Sequence, residues 1–195
     1  MAAQSKPPTR AATYADLEAL PPNVVGELIA GVLRATPRPG GSHTLAASEL
    51  GAELSFPFSR GRGGPGGWWI LDEPELHLGG DVLVPDLAGW RRARLPDVRA
   101  RVHFDVAPDW VCEVLSPSTA AFDRSEKLPL YAGAGVQHAW LIDPTLETLE
   151  VLRLDHGRWL LLGAHCGNVR VRAEPFEALE LALGPLWGVV VDAEL

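Results

Sequence analysis

A chain of 195 residues with 47% hydrophobic and 22% charged residues can bury the core of one globular domain. Its formal net charge of -8 excludes a protein that coats nucleic acid nonspecifically, since phosphate binding needs clustered Lys and Arg. No uncharged apolar run is long enough to cross a bilayer and MAAQSKPPTRAA has no apolar signal-peptide segment, so a cytosolic protein with no membrane partner is expected. Cys112 and Cys166 fit no CxxC or Cys/His pattern, which points to two reduced, buried thiols.

Residues 1–12 read as a disordered segment and residues 13–195 as a single domain. TYADLEALPP opens with Thr13 as N-cap and Asp16 at N3 and stops at Pro21 and Pro22, which predicts a short helix. GELIAGVLRA, Gly26 to Ala35, then reads as a strand around a glycine, with Glu27 at its beginning. SHTLAASELGAELSF follows with Leu45, Leu50 and Leu54 at helical spacing. PFSRGRGGPGG, rich in Gly and Pro, is read as a mobile loop before the strand WWILDE.

The rest is a series of short β-rich segments: HLGGDVLVPDLAGW, DWVCEVL, HAWLID, TLEVLRL, RWLLLGA and NVRVRA. Pro, Gly or Asp-Pro turns part them, and one helical candidate lies between the second and third. The whole predicts a mixed α/β sheet domain. The C-terminal strands with Trp159 and Trp187 complete the core or form a dimer surface, and Trp68, Trp69 and Trp140 read as packing residues.

Two acids stand out of place. Glu113 is set among Trp110, Val111, Cys112, Val114 and Leu115, and an unpartnered ionised carboxylate in such a strand costs several kcal/mol. Asp86 follows Pro85, which interrupts the strand of Val82, Leu83 and Val84. If segments 82 to 88 and 109 to 115 are sheet neighbours, Asp86 and Glu113 can share a divalent cation, Mg²⁺ or Mn²⁺. The plainer alternatives are a turn at Pro85 and a water-facing glutamate.

Downstream, SPSTAAFDRSEKLPLYAGAG places Asp123 and Glu126 at capping-box spacing and Lys127 and Tyr131 four apart on one helical face. A surface lysine paired with Asp123 is the alternative. Pro129 inside a helix costs about 3 kcal/mol, so a kink or a helix start near Leu128 is expected. WRRARLPDVRAR carries five arginines and one acid, and with Arg60 and Arg62 it suits either a phosphate-binding patch or a solvated loop.

GELIAG, VPDLAGW, DWVCEVLSPST, DRSEKLPLY and GVQHAWLIDP, in that order, resemble the Uma-two family named for restriction endonucleases, also called domain of unknown function 820, from about Tyr14 to Leu186. That family is similar to the PD-(D/E)XK nucleases. The resemblance implies a restriction-endonuclease-like α/β fold: a mixed central β-sheet flanked by helices, here with additional strands at the C-terminal end. It also implies Mg²⁺-dependent hydrolysis of DNA.

Carried over, Asp86 matches the Asp of the PD step and Glu113 the acid of the D/E-x-K strand. Leu115 stands where the lysine would, so Lys127 is the implied replacement. Glu27 corresponds to the acid near the start of the pattern, with an edge-strand surface acid as the alternative. His43 corresponds to a histidine heading the next helix, with a helix cap as the alternative. Arg60, Arg62, Arg91, Arg92 and Arg94 become candidate nucleic-acid contacts, and a homodimer is allowed. A nuclease-like module that binds without cutting, and a hydrolase of small phosphoesters, are the other readings.

Overall fold

The structure, a computed structural model, describes residues 10–189. The expected disordered segment lies outside them except for Arg10–Ala12, which are held: the Ala12 N–H donates to the Gly31 carbonyl at 2.7 Å and Arg10 grips the Asp16 carboxylate with both guanidinium nitrogens. Helix α1 (Tyr14–Glu18) starts as its sequence predicts, with Asp16 accepting the Thr13 backbone N–H at 2.8 Å.

The segment Gly26 to Ala35 is not one strand but a hairpin, β1 (Val24–Ile29) and β2 (Val32–Pro37). Its two-residue turn, Ala30 at φ 50° and Gly31 at φ 73°, needs both residues left-handed, and an alanine at the first position hides the signal. Helix α2 (Gly41–Leu54) runs into a π-helical turn at Ser55–Ser59. The expected mobile loop is therefore only partly a loop: Pro57 and Phe58 are buried, Phe58 packs on Phe176 at 4.6 Å, and Gly64 lies so close to Pro57 that a Cβ there would sit 2.4 Å from its ring.

Strands β3 (Trp68–Asp72), β4 (Leu76–Leu78), β5 (Asp81–Leu83), β6 (Leu87–Arg91), β7 (Trp110–Val114), β8 (His138–Asp143), β9 (Thr148–Asp155) and β10 (Arg158–Cys166) follow, with β11 (Arg170–Val171) and β12 (Leu181–Ala182) as a terminal pair. They form a four-stranded sheet, β2-β1-β5-β4, a six-stranded sheet, β10-β9-β8-β7-β6-β3, and the two-stranded β11-β12. Within the six-stranded sheet β7 and β8 run parallel and the other pairs antiparallel, so the predicted mixed sheet is present, with extra C-terminal strands. The parallel step needs a crossover, supplied by α3 (Ala120–Phe122), a π-helical turn (Asp123–Lys127) and α4 (Leu128–Gly133).

No break occurs at Pro129. The Leu128 N–H reaches back to the Asp123 carbonyl, and this wider turn carries the chain past the proline, which stands in the first turn of α4 without an N–H to donate.

Strand alternation divides the core in two. Trp110, Cys112 and Val114 of β7 face α2, the Phe58 turn and the C-terminal segment around Phe176, where Trp68, Trp110 and Trp140 pack on Phe176 at 4.9, 5.0 and 5.6 Å. Val111 and Leu115 face the opposite side, toward Leu83 of the smaller sheet and Leu128 and Tyr131 of the crossover. Trp159 is half-buried, donating to the Leu128 carbonyl at 2.8 Å, and Trp187 donates to the Gly167 carbonyl at 3.2 Å. Cys112 is buried as expected, but Cys166 is exposed, because the edge strand β10 has no layer over its outer side. Among the described residues, no helix is long and apolar enough to cross a membrane.

Candidate functional site

Between β5 and β6 the chain leaves one sheet for the other, and Val84, Pro85 and Asp86 belong to neither ladder. The interruption expected at Pro85 is present and divides segment 82 to 88 between two strands, because Pro85 cannot donate to a ladder. Backbone groups at such a joint need other partners. Glu27 on β1 accepts the Val84 N–H at 2.9 Å, and Lys127 donates to the Val84 carbonyl at 3.2 Å. Asp86 in turn accepts the Val114 N–H at 2.7 Å, taking over where the β6–β7 ladder ends.

That ladder pairs Leu87 with Cys112, so one further step sets Asp86 opposite Glu113. Glu113 shares the sheet side of Val111 and Leu115, and the crossover helix lies against it. Its Oε1 accepts the Tyr131 hydroxyl at 2.6 Å and the Lys127 ammonium at 2.7 Å. Lys127 also meets Glu27 Oε1 at 3.1 Å and Asp123 Oδ1 at 4.0 Å. Glu27, Glu113, Asp123 and Lys127 are all buried. Neither a surface lysine nor a surface Glu27 is found, since β1 lies inside its sheet between β2 and β5.

Glu27, His43, Asp86, Glu113, Asp123 and Lys127 line one cavity of ≈ 310 Å³. His43, on the first turn of α2, turns its Nε2 to Asp86 Oδ1 at 3.2 Å, and the helix cap is Gly40 instead. A second cavity of ≈ 470 Å³ shares His43, Glu73 and Asp86 with the first and extends along α2 to Arg60. The two form a groove that opens onto the acidic cluster.

Four acids thus face one lysine and one histidine. Burial pushes the Glu113 carboxyl well up, with Asp123, Asp86 and Glu27 adding to the effect and Lys127 opposing it. Burial likewise raises Asp123 against the pull of Lys127. Lys127 is held well above the ordinary lysine range: burial opposes its charge, but Glu113, Glu27 and Asp123 outweigh it. His43 is also raised, because its bond to Asp86 and the surrounding acids exceed the opposing effect of burial. An excess of buried oxygen donors over cations is the donor set a hard divalent ion takes. Glu113 Oε2 accepts no hydrogen bond among the described residues and so remains free for such an ion.

Of the candidate arginines, only Arg60 lines the groove. Arg91 stacks over Trp68 at 4.5 Å and Arg92 over Trp69 at 3.9 Å, and Arg92 also donates to the carbonyls of Ser59 at 2.6 Å and Trp68 at 3.1 Å. Arg94 pairs with Asp109 at 2.9 Å. Arg60 lies 5.2 Å over Phe56 and lines the groove, whereas Arg62 lines neither cavity. Sequence reasoning noted Asp123 and Tyr131 only as helix features. Their spacing with Lys127, two steps of four residues, was the available signal, and only the folded crossover brings Tyr131 and Lys127 to Glu113 and Asp123 to Lys127.

The Uma2 family model, described as "Putative restriction endonuclease", matches residues 11–184. The chain belongs to the Uma2 family. A crystal structure from Anabaena variabilis ATCC 29413, described as "a putative nuclease belonging to DUF820", superimposes with a TM-score of 0.74 over 93% of this chain and 98% of that one, at 23% identity, and establishes the shared fold. An uncharacterized protein of Synechocystis sp. is 32% identical over 102 residues, which cover 47% of this chain and 54% of that relative. The match spans about half the length of that curated relative.

Proposed function

We propose that this Uma2 protein is a Mg²⁺-dependent endonuclease that hydrolyses DNA phosphodiester bonds in the groove between α2 and the crossover helix. The observation that carries this reading is the buried surplus of carboxylates around Lys127, where Asp86 and Glu113 meet at the joint of the two sheets. A protein that had only to fold would gain by replacing such a cluster with apolar residues.

Asp86 and Glu113 would hold the ion, Mg²⁺ or Mn²⁺, with Glu27 close enough to the pair to assist. When bound, the ion supplies an activated water and offsets charge on the phosphate. Tyr131 and Lys127 hold the Glu113 carboxylate in one orientation, and His43 does the same for Asp86 Oδ1. Lys127 is ion-paired with Glu113 and Glu27 and donates to the Val84 carbonyl. Its first role is thus to keep the acids together; contact with the nucleophile requires one of these bonds to be released as a divalent ion takes over charge compensation. Arg60 is the arginine best placed to meet a phosphate in the groove, while Arg62, Arg91, Arg92 and Arg94 would touch DNA only beyond it. The exposed leucines Leu160 to Leu162 of the edge strand β10 mark the edge a homodimer would cover.

The engagement of the buried Lys127 with Glu27, Glu113 and the Val84 carbonyl also favours a second reading, a nuclease-fold module that binds nucleic acid or a protein partner without cutting. Incubation of plasmid and linear single-stranded DNA with Mg²⁺ or Mn²⁺ separates the two. Cleavage by the wild type that falls at least a hundredfold in Asp86→Asn and in Glu113→Gln is expected for the nuclease. Salt-dependent DNA binding without cleavage would favour the module, and equal cleavage by wild type and variants would remove the site.

A further inference from the structure

A second group of metal-ligating side chains stands apart from the groove. Leu76 of β4 and Phe104 form a parallel bridge, fixed by His77 N–H to Phe104 O and Phe104 N–H to Glu75 O, both at 2.9 Å. Leu76 and Phe104 point into the core, so their sequence neighbours Glu75, His77, His103 and Asp105 project together from the other side. One ligand atom from each of Glu75, His77 and His103 lies within 4.8 Å of the other two. The His77 and His103 rings stack at 4.0 Å with 12° between their planes, and His77 Nε2 meets Glu75 Oε1 at 2.7 Å. Tyr14 of α1 donates its hydroxyl to the same Glu75 oxygen at 2.8 Å and so fixes the carboxylate. None of the three lines either cavity of the groove.

Two imidazoles and one carboxylate, brought together by strand register, are a ligand set for borderline ions and not for Mg²⁺. With bonds of about 2.0–2.2 Å the donor atoms of a tetrahedral shell stand roughly 3.4 Å apart, so an ion would part His77 Nε2 from Glu75 Oε1, now 2.7 Å away, and draw His103 in, shifts that side-chain rotation supplies. We propose that Glu75, His77 and His103 form a second cation site, selective for a zinc-class ion, which fastens the segment around Phe104 and helix α1 to β4. Asp105, whose Oδ1 is 3.8 Å from His103 Nε2, or solvent completes the shell.

Titration of the metal-free full chain with ZnCl₂, followed by calorimetry and by imidazole NMR resonances, tests the site. One equivalent is expected to move the His77 and His103 resonances, and to do so equally in the Asp86→Asn/Glu113→Gln double variant, whose groove is disabled. Affinity should fall at least tenfold in His77→Ala and in His103→Gln, and excess Mg²⁺ should leave both resonances in place. Absence of zinc-dependent shifts at His77 and His103 in the wild type would overturn the site even if a variant failed to fold. So would full affinity in His103→Gln, and either result leaves the nuclease reading to its own cleavage test.

Discussion

The two ends of strand β6 hold the protein's two groups of conspicuous charged residues, and the groups are used differently. At the N-terminal end, Asp86 joins Glu27, Glu113 and Asp123 around one lysine, so negative charge is in surplus and enclosed. At and past the C-terminal end, Arg91, Arg92 and Arg94 each have a fixed partner: an indole, an indole with two carbonyls, and Asp109. A charge with a full set of partners holds the fold together. A buried surplus lacking a counter-charge is where a ligand is to be sought.

Removing the cation from the first group should have the largest effect. Lys127→Met leaves Glu27 and Glu113 buried without a counter-charge, a loss expected to cost about 3–5 kcal/mol at neutral pH, readable by urea unfolding. At the other end, Arg92→Ala removes one stacking contact and two hydrogen bonds from an exposed side chain. A cost of about 1–2 kcal/mol is expected, with groove chemistry unchanged. A cost as large as that of Lys127→Met would erase the distinction between the two ends.

Asp123→Asn should act in the opposite direction. Because burial holds the folded Asp123 above its ordinary 3.8, the folded state keeps its proton longer than the unfolded chain, and stability falls as pH rises through that window. The substitution removes this penalty, so the metal-free protein should melt about 2–4 °C higher at neutral pH, about 1 kcal/mol for a domain of this size, with the gain vanishing below about pH 4. Thermal melts in chelator at several pH values read it.

The acids were legible in the sequence because each broke a local pattern: Glu113 an apolar strand, Asp86 a strand stopped by proline. Lys127 was legible from its place in a run of ordered motifs. What stayed hidden depended on contacts between distant segments. Asp123 and Tyr131 gain their role only when the crossover lies over β7. The meeting of the Arg60 and Arg92 segments depends on β3 pairing with β6, which brings Arg92 to the Ser59 carbonyl. Pro129 gave a true local signal: an α-helix starts at Leu128, with the π-helical turn before it carrying the chain in without a break. The β1–β2 turn was missed because Ala30 occupies a position that glycine or asparagine ordinarily marks.

Calorimetric titration of the metal-free chain with Mg²⁺, in two buffers of different ionisation enthalpy, is the most direct measurement on the acidic cluster. Binding should release protons, because Glu113 and Asp123 hold theirs above the ordinary carboxylate range, and affinity should therefore rise with pH. Asp86→Asn and Glu113→Gln should each abolish the heat while Arg92→Ala retains it. Mg²⁺ binding of equal strength in the wild type and both acid variants, or no binding by the wild type at any pH, would contradict a cation site at the joint of the two sheets.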